Sequence, residues 1–424
     1  MKKILFISAY APPDDVIAAV RVGQWIKYLL RLGYKIELIS AKNDFLYPQT
    51  SNIYFNDKNF QLHNIEFIPK IFKRLISNKN VKNSDKSKAK VGGLFKNFLR
   101  RLRPIFGQLD LYIFWIFPAI HKGRELLKRE KFDYVISSFS PSASHIVASQ
   151  LKKFSNSNQI EWIADFRDLW SDNPNTNNLT KFIEARIESL VLKSASKIIT
   201  VSENGLELLK NKYPEKEIII IENGFDPEEH PNWKQACSQL KHLNRPIIIT
   251  YTGLISKKDR NPEILFITLA RLLQEGHINR ESIKINIFTQ NYSECKKILN
   301  ESALDNSIVT ISSYIPRHLA IQKQKESDFL LLLESNNERG IGNLTGKVFE
   351  YIVSGVPIIA MGMHTKNLAK ELVLSTGTGI YCQDIESANK FFMSILENKK
   401  IYFYKPDIKK IESYSRSKQV ERLF

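Results

Sequence analysis

At 424 residues the chain is too long for one compact core, which stops growing at ~250–300 residues, so it divides into two or three domains. An apolar fraction of 43% with 25% charged residues excludes wholesale disorder. Sixty-two Lys and Arg against 44 Asp and Glu leave a formal charge of +18, which predicts an anionic partner unless the charge serves solubility alone.

The N-terminus, MKKILFISAYAPP, has the two lysines and apolar stretch of a signal peptide. It runs instead into Pro12, Pro13, Asp14 and Asp15 with no small-residue cleavage site, and residues 3–9 read as a buried first strand. A helix follows to Leu32, with Val22, Trp25, Ile26 and Leu29 on one face and Gly33 as its stop. Further strands are expected at 35–40, 65–68, 134–138, 161–165, 197–201 and 217–221, with helices at 119–130 and 180–194. This strand–helix rhythm belongs to a parallel sheet. A second series starts at Pro246 and continues through strands at 283–288, 308–311, 328–333 and 356–360. The chain is therefore read as α/β: two Rossmann-like doubly wound domains facing a central cleft, 1–225 and 246–404, joined by a hinge over 226–245. The final 405–424 is expected to pack back on the first domain. No apolar run reaches the ~20 residues that span a bilayer. Cys237, Cys295 and Cys382 are odd in number and far apart, so no disulfide framework or zinc site is expected, and a reducing compartment fits.

Residues 70–106 break the rhythm. Twelve Lys and Arg between Lys70 and Arg103 face one acid, Asp85. After Gly92 and Gly93, Leu94, Phe95, Phe98, Leu99 and Leu102 share a helical face, with Lys96, Arg100, Arg101 and Arg103 opposite. A basic amphipathic helix of this kind suits an anionic membrane surface, and equally a helix packing its apolar face on the first domain. No recognition motif accompanies the charge, so no nucleic-acid partner is expected.

Loops at the carboxyl ends of parallel strands are where ligands bind. In the first half these loops offer Pro13 and Arg21, then Ser140 and His145 in SSFSPSASH, then Asp165, Arg167 and Asp168 in DFRDLWSDNP. Arg21 could hold an anion or be a buried structural arginine. His145 could carry a proton or complete a helix start. The acidic loop could be functional or shaped by an internal Arg–Asp pair. In the second half Gly253 ends a strand, with Lys257, Lys258 and Arg260 following, which reads as a diphosphate-accepting turn or a plain surface turn. Glycines 340, 342 and 346 then enter a helix whose Lys347 and Glu350, three apart, share a face. Such a helix start suits phosphate on Lys347 and sugar hydroxyls on Glu350, or else a capping turn with a surface ion pair.

In order along the chain, AYAPPDDVIAAVRVGQWIKYL, SSFSPSASH, ADFRDLWSDNP, TVSENG, IENGFDP, YTG and GKVFEYIVSGVPIIA resemble the family-4 glycosyltransferases of the GT-B fold, the bacterial polysaccharide-assembly branch in particular. The resemblance implies a retaining transfer from a nucleotide-diphosphate sugar, a UDP-sugar, to a lipid-linked or cell-envelope glycan, with no cofactor and no metal. Gly253, Lys258, Arg260, Gly342, Asn343, Leu344, Thr345, Gly346 and Lys347 would meet the diphosphate, Glu350 the ribose, and Ile315 the base. Pro13, Arg21, Ser140 and Asp165 would line the acceptor site, and His145, Arg167 and Asp168 would carry the chemistry. The implied location is cytoplasmic, peripheral on the inner face of the membrane. The chain departs from many relatives at Gly342, where they have Glu, at Phe166–Arg167, where they have His, and at Ala18, where they have Gly. A UDP-sugar 2-epimerase of the same fold and a non-catalytic, glycan- or membrane-binding relative are the rival readings.

Overall fold

The computed structural model describes residues 1–14, 16–44, 46–47, 56–68, 112–155, 160–173, 177–239, 243, 246–313, 315–335, 344–364, 366–398 and 401–424. The basic segment 70–106 lies outside them, as do Gly342 and Asn343. The chain forms two compact units, Met1–Glu222 with Arg422–Phe424, and Asn223–Glu421.

In the first unit the order is β1 (Lys3–Ile7), α1 (Ile17–Arg31), β2 (Lys35–Ala41), β3 (Phe60–Ile65), α2 (Ile113–Arg129), β4 (Tyr134–Phe139) and α3 (Ala143–Phe154). There follow β5 (Glu161–Phe166), α4 (Asn178–Leu192), β6 (Lys197–Thr200), α5 (Glu203–Lys212) and β7 (Glu217–Ile220). Every described strand pair is parallel, in the order β3-β2-β1-β4-β5-β6-β7. Apolar strands such as KILFI are buried, as a sheet covered on both faces requires. One core joins Leu5, Ile7 and Val135 to Trp115, Ala119 and Leu126 of α2 and Val147 and Leu151 of α3. Gly123 permits that helix contact, since a Cβ there would lie 2.3 Å from a Leu151 methyl.

Two local differences from the sequence reading have physical causes. The third strand is Phe60–Ile65 rather than 65–68, because its polar His63 is satisfied by Glu37 of the neighbouring β2, a pairing invisible to hydropathy. Phe67 and Ile68 still pack in the core, beyond the strand. The helix expected from 119 begins at Ile113 and runs through Pro118, which leaves the Phe114 carbonyl without its usual donor four residues on.

In the second unit the elements are α6 (Trp233–Ser238), β8 (Ile247–Thr252), α7 (Glu263–Gln274), β9 (Ile283–Phe288), α8 (Tyr292–Glu301), β10 (Val309–Ser312), α9 (Arg317–Lys325) and β11 (Phe329–Leu333). The rest are α10 (Gly346–Tyr351), β12 (Ile358–Met361), α11 (Leu368–Ser375), β13 (Gly379–Cys382), α12 (Ile385–Asn398), α13 (Ile408–Ser413) and α14 (Arg416–Val420). The sheet, again parallel, runs β10-β9-β8-β11-β12-β13. The stretch expected as a hinge, 226–245, contributes Phe225's neighbours Trp233 and Cys237 to this unit's core, with Val348, Phe349 and Ile411. Of the C-terminal stretch, residues to Glu421 belong to the second unit, and only Arg422–Phe424 join the first. No helix among the described residues is long and apolar enough to cross a membrane.

Candidate functional site

Each sheet reverses its winding direction once, between β1 and β4 in the first unit and between β8 and β11 in the second. At such a point the two following loops diverge and leave a crevice beyond the strand ends. In the second unit the loop after β8 carries Gly253, and the chain after β11 leads to Lys347 on α10. These two meet. A Cβ on Gly253, whose φ is +150°, would lie 2.7 Å from the Lys347 ammonium nitrogen. Only glycine admits both that backbone and that approach. The ammonium lies 4.5 Å from the centre of the Tyr251 ring and 3.2 Å from its hydroxyl. Tyr251 gives its own proton to the Leu254 carbonyl at 2.5 Å. Among the described residues Lys347 has no carboxylate partner, so its charge stays available to an anion. Thr345, the residue before α10, makes no capping hydrogen bond with its side chain. Its hydroxyl goes to Glu334 instead, leaving the first amides of α10 without a side-chain acceptor among the described residues.

Around this point lie two buried-edge ion pairs. Arg260 reaches Glu334 with Nε at 3.3 Å and Nη2 at 3.2 Å. Burial pulls the guanidinium's pKa down, but the Glu334 charge outweighs it and holds the group above its ordinary value. Glu350 accepts Nε and Nη2 of Arg317 on one oxygen, at 2.9 and 2.7 Å. Lys347 and Glu350 thus share a helix but not a bond, which corrects the surface pair weighed from their spacing. Lys258 is exposed, Ile315 and Leu344 are half-buried, and Gly346 is exposed at the helix start. The Leu344 carbonyl is held by Asn223 at 3.2 Å. No cluster of three or more metal-ligating His, Cys, Asp or Glu occurs among the described residues.

In the first unit the loops after β1, β4 and β5 bring Pro13, Ser140, Arg167 and Asp168 to one end of the sheet. Pro13 and Ser140 are half-buried there. Asp168 is the open carboxylate of the group, with 62% of its side chain exposed and Arg167 Nε 3.5 Å away. Arg167 also donates to the Ala18 carbonyl at 2.5 Å.

The family model described as glycosyltransferase family 4 matches residues 18–229, half of the 424 residues. This chain belongs to glycosyltransferase family 4. Solved structures add the two-domain architecture of the GT-B fold. The chain resembles a sucrose-phosphate synthase from Thermosynechococcus elongatus at 13% identity, covering 100% of this chain and 97% of that one with a TM-score of 0.60. It resembles the apo form of the lipopolysaccharide outer core galactosyltransferase WaaB at 14% identity, covering 99% and 97% with a TM-score of 0.58. A third similar structure is the E. coli trehalose-6-phosphate protein bound with UDP-2-fluoro glucose, at 13% identity, coverage of 99% and 97%, and a TM-score of 0.59. No curated protein matches the sequence.

Two expected acceptor residues of this family-4 glycosyltransferase are engaged with each other inside the first unit. Arg21 is 3% exposed and Asp165 fully buried. Arg21 grips both Asp165 oxygens, at 3.1 and 2.9 Å, while Ser138 donates to Asp165 at 2.8 Å. The rest of the guanidinium donates to the carbonyls of Ile221 and Glu222 and stacks on Trp25. With four donors used inside the protein, Arg21 is the structural arginine. Ala18 belongs to α1 rather than to the loop before it.

His145, expected to carry chemistry, is fully buried. Trp162 Nε1 donates to the Ser137 hydroxyl at 2.8 Å, and that hydroxyl shares a hydrogen bond with His145 Nδ1, also at 2.8 Å. Nε2 has no polar partner among the described residues, and the ring lies among Phe139, Phe166 and Trp170. Burial lowers the His145 pKa from 6.5 to about 3. Between those values the unfolded chain binds the proton and the folded one does not, so stability falls as pH drops below 6.5. From pH 7 to pH 5 the loss from this residue is about 2 kcal/mol. Chemical denaturation at both pH values should show His145→Gln losing about that much less than the parent. An equal loss in both proteins would rule the assignment out.

Several residues of the glycosyltransferase escape any motif reading. Asn43, buried beside the first loop, donates to the Ala9 carbonyl at 2.9 Å and to Asp14 at 2.7 Å, and accepts from Tyr112 at 3.0 Å. Arg317 and Glu334 join the second-unit site from distant positions outside the motifs, and Tyr251 and Asn223 join it from within YTG and IENGFDP through partners that the motifs do not announce. Their signal was spatial: each is an ordinary residue until its partner is brought to it.

Proposed function

We propose that this glycosyltransferase draws its sugar from a nucleoside-diphosphate sugar, a UDP-sugar, held in the second unit, and transfers it with retention to a lipid-linked or cell-envelope glycan. The observation that carries the reading is the Lys347 ammonium, without a carboxylate partner among the described residues, set against the bare backbone of Gly253 at the sheet's switch point. As the sugar C1–oxygen bond breaks, charge grows on the leaving diphosphate. Lys347, Arg260 and the first amides of α10 stabilise it as fixed donors that need no reorganisation. The acceptor oxygen bonds C1 on the face the diphosphate leaves, and its proton departs to a basic oxygen. Asp168, the open carboxylate of the first unit, is the residue proposed to orient that acceptor hydroxyl. Diphosphate-stabilising cations of this kind make a metal unnecessary in the proposal. The basic segment 70–106 is proposed to hold the enzyme on an anionic, cytoplasmic membrane face where such acceptors are made.

One assay tests these parts together. Purified enzyme is given labelled UDP-sugars and lipid-linked acceptors in anionic vesicles, with and without a chelator. Expected are a labelled lipid product of retained anomeric configuration by NMR, no effect of the chelator, and a rate that falls with salt. Asp168→Asn should cut turnover by about a hundredfold or more while UDP affinity holds within about twofold. An epimerised sugar without acceptor, activity restored only by a divalent ion, or wild-type turnover in Asp168→Asn would each overturn the corresponding part.

A further inference from the structure

Glu350 carries an asymmetry that its spacing from Lys347 does not reveal. One of its oxygens takes both the Nε and Nη2 protons of Arg317, at 2.9 and 2.7 Å. The third arm of the guanidinium, Nη1, pairs with Glu229. The other Glu350 oxygen makes no hydrogen bond to any described residue, and the side chain keeps 19% of its surface open. A carboxylate fixed through one oxygen and free at the other is a rigid acceptor for a pair of neighbouring hydroxyls. The pairing also cancels a negative charge one helical turn from Lys347, where it would otherwise repel a diphosphate. Arg317 is itself held: Pro316 precedes it at the start of α9, and two carboxylates flank it. Burial opposes its charge, but Glu350 and Glu229 outweigh that and raise its pKa above the ordinary arginine value, so the clamp stays charged at any physiological pH.

We infer that Arg317 is a positioning residue: it orients Glu350 so that the open oxygen accepts the ribose hydroxyls of the nucleotide, with Glu229 steadying the outer arm of the clamp. This rests on the nucleoside-diphosphate reading of the second unit.

The test is calorimetric binding of UDP, GDP and their 2′-deoxy and 3′-deoxy analogues to the full-length protein and its variants. Wild type should bind the ribose form of its nucleotide about tenfold tighter than the analogue lacking the recognised hydroxyl. In Arg317→Ala, and in Glu350→Gln, that ratio should fall to about twofold or less, with Arg317→Lys between them. A variant that merely loosened the fold would weaken ribose and deoxy forms alike and leave the ratio intact. Should Arg317→Ala not fold, the double variant Arg317→Ala with Glu229→Gln removes one of the two carboxylates stranded by the first change, leaves Glu350 in place and gives the same readout. A tenfold ratio preserved in either folded variant overturns the inference, as does a wild type that binds UDP or GDP without regard to either hydroxyl. Wild type binding neither nucleotide would overturn the donor reading as well, so the two failures are distinct.

Discussion

Arg21→Ala should leave the first unit unable to hold its fold. Asp165 is fully buried, and Arg21 supplies the only cation that a described residue brings to it. Removing one partner of a buried pair strands the other charge, at a cost of about 3–5 kcal/mol, a large share of the ~5–15 kcal/mol that keeps a domain folded. Two carbonyls, of Ile221 and Glu222, lose their donor at the same time. Urea denaturation should show the first transition shifted by that amount or absent, with much of the protein insoluble. The double variant Arg21→Met with Asp165→Asn removes both charges while keeping an apolar stem over Trp25, and should recover about half of the loss or more. If Arg21→Ala unfolds like the parent and only acceptor kinetics change, Arg21 belongs to the acceptor site after all.

The second large effect is on binding. With Lys347→Ala, affinity for UDP should fall roughly tenfold to a hundredfold, since a charge-assisted contact to phosphate contributes about 1.5–3 kcal/mol. The fold should survive, because the Tyr251 hydroxyl keeps its bond to the Leu254 carbonyl and no carboxylate of a described residue is left unpaired. Calorimetry with UDP and with uridine separates the causes: the uridine constant should stay put while the UDP constant moves. Equal affinity for UDP in both proteins would show that the diphosphate lies elsewhere.

How much of this was legible beforehand follows the range of each interaction. Apolar runs such as KILFI, IIITYTG and FLLLL announce buried parallel strands, because hydropathy is a local property. Strand β13, GIYC, is four residues long between turn-forming neighbours, and no strand was expected there. Gly253 and Lys347 could each be picked out as candidates, but their meeting depends on the strand order that places β8 beside β11. Charged residues were hardest. Arg21 and Asp165 lie 144 positions apart, and nothing in either segment says whether a loop charge will face a ligand or another loop. The spacing of Glu350 suggests its helical neighbour Lys347 as partner, whereas the partner is Arg317, 33 positions away. A histidine at a strand end looks the same in sequence whether its ring meets water or, as at His145, three aromatic rings.

The last three residues carry a consequence for biosynthesis. Leu423 is buried and its carbonyl lies 3.5 Å from Lys197, while Phe424 stacks on Tyr34 at 5.0 Å and covers Tyr134 at 4.2 Å. All three partners are translated before any of the second unit. A ribosome therefore releases the N-terminal half with these tyrosines uncovered, and they stay so until nearly two hundred further residues have been made. Maturation of the N-terminal half thus waits on synthesis of residues 422–424, and a nascent chain stalled before Arg422 would present that bare aromatic patch to chaperones.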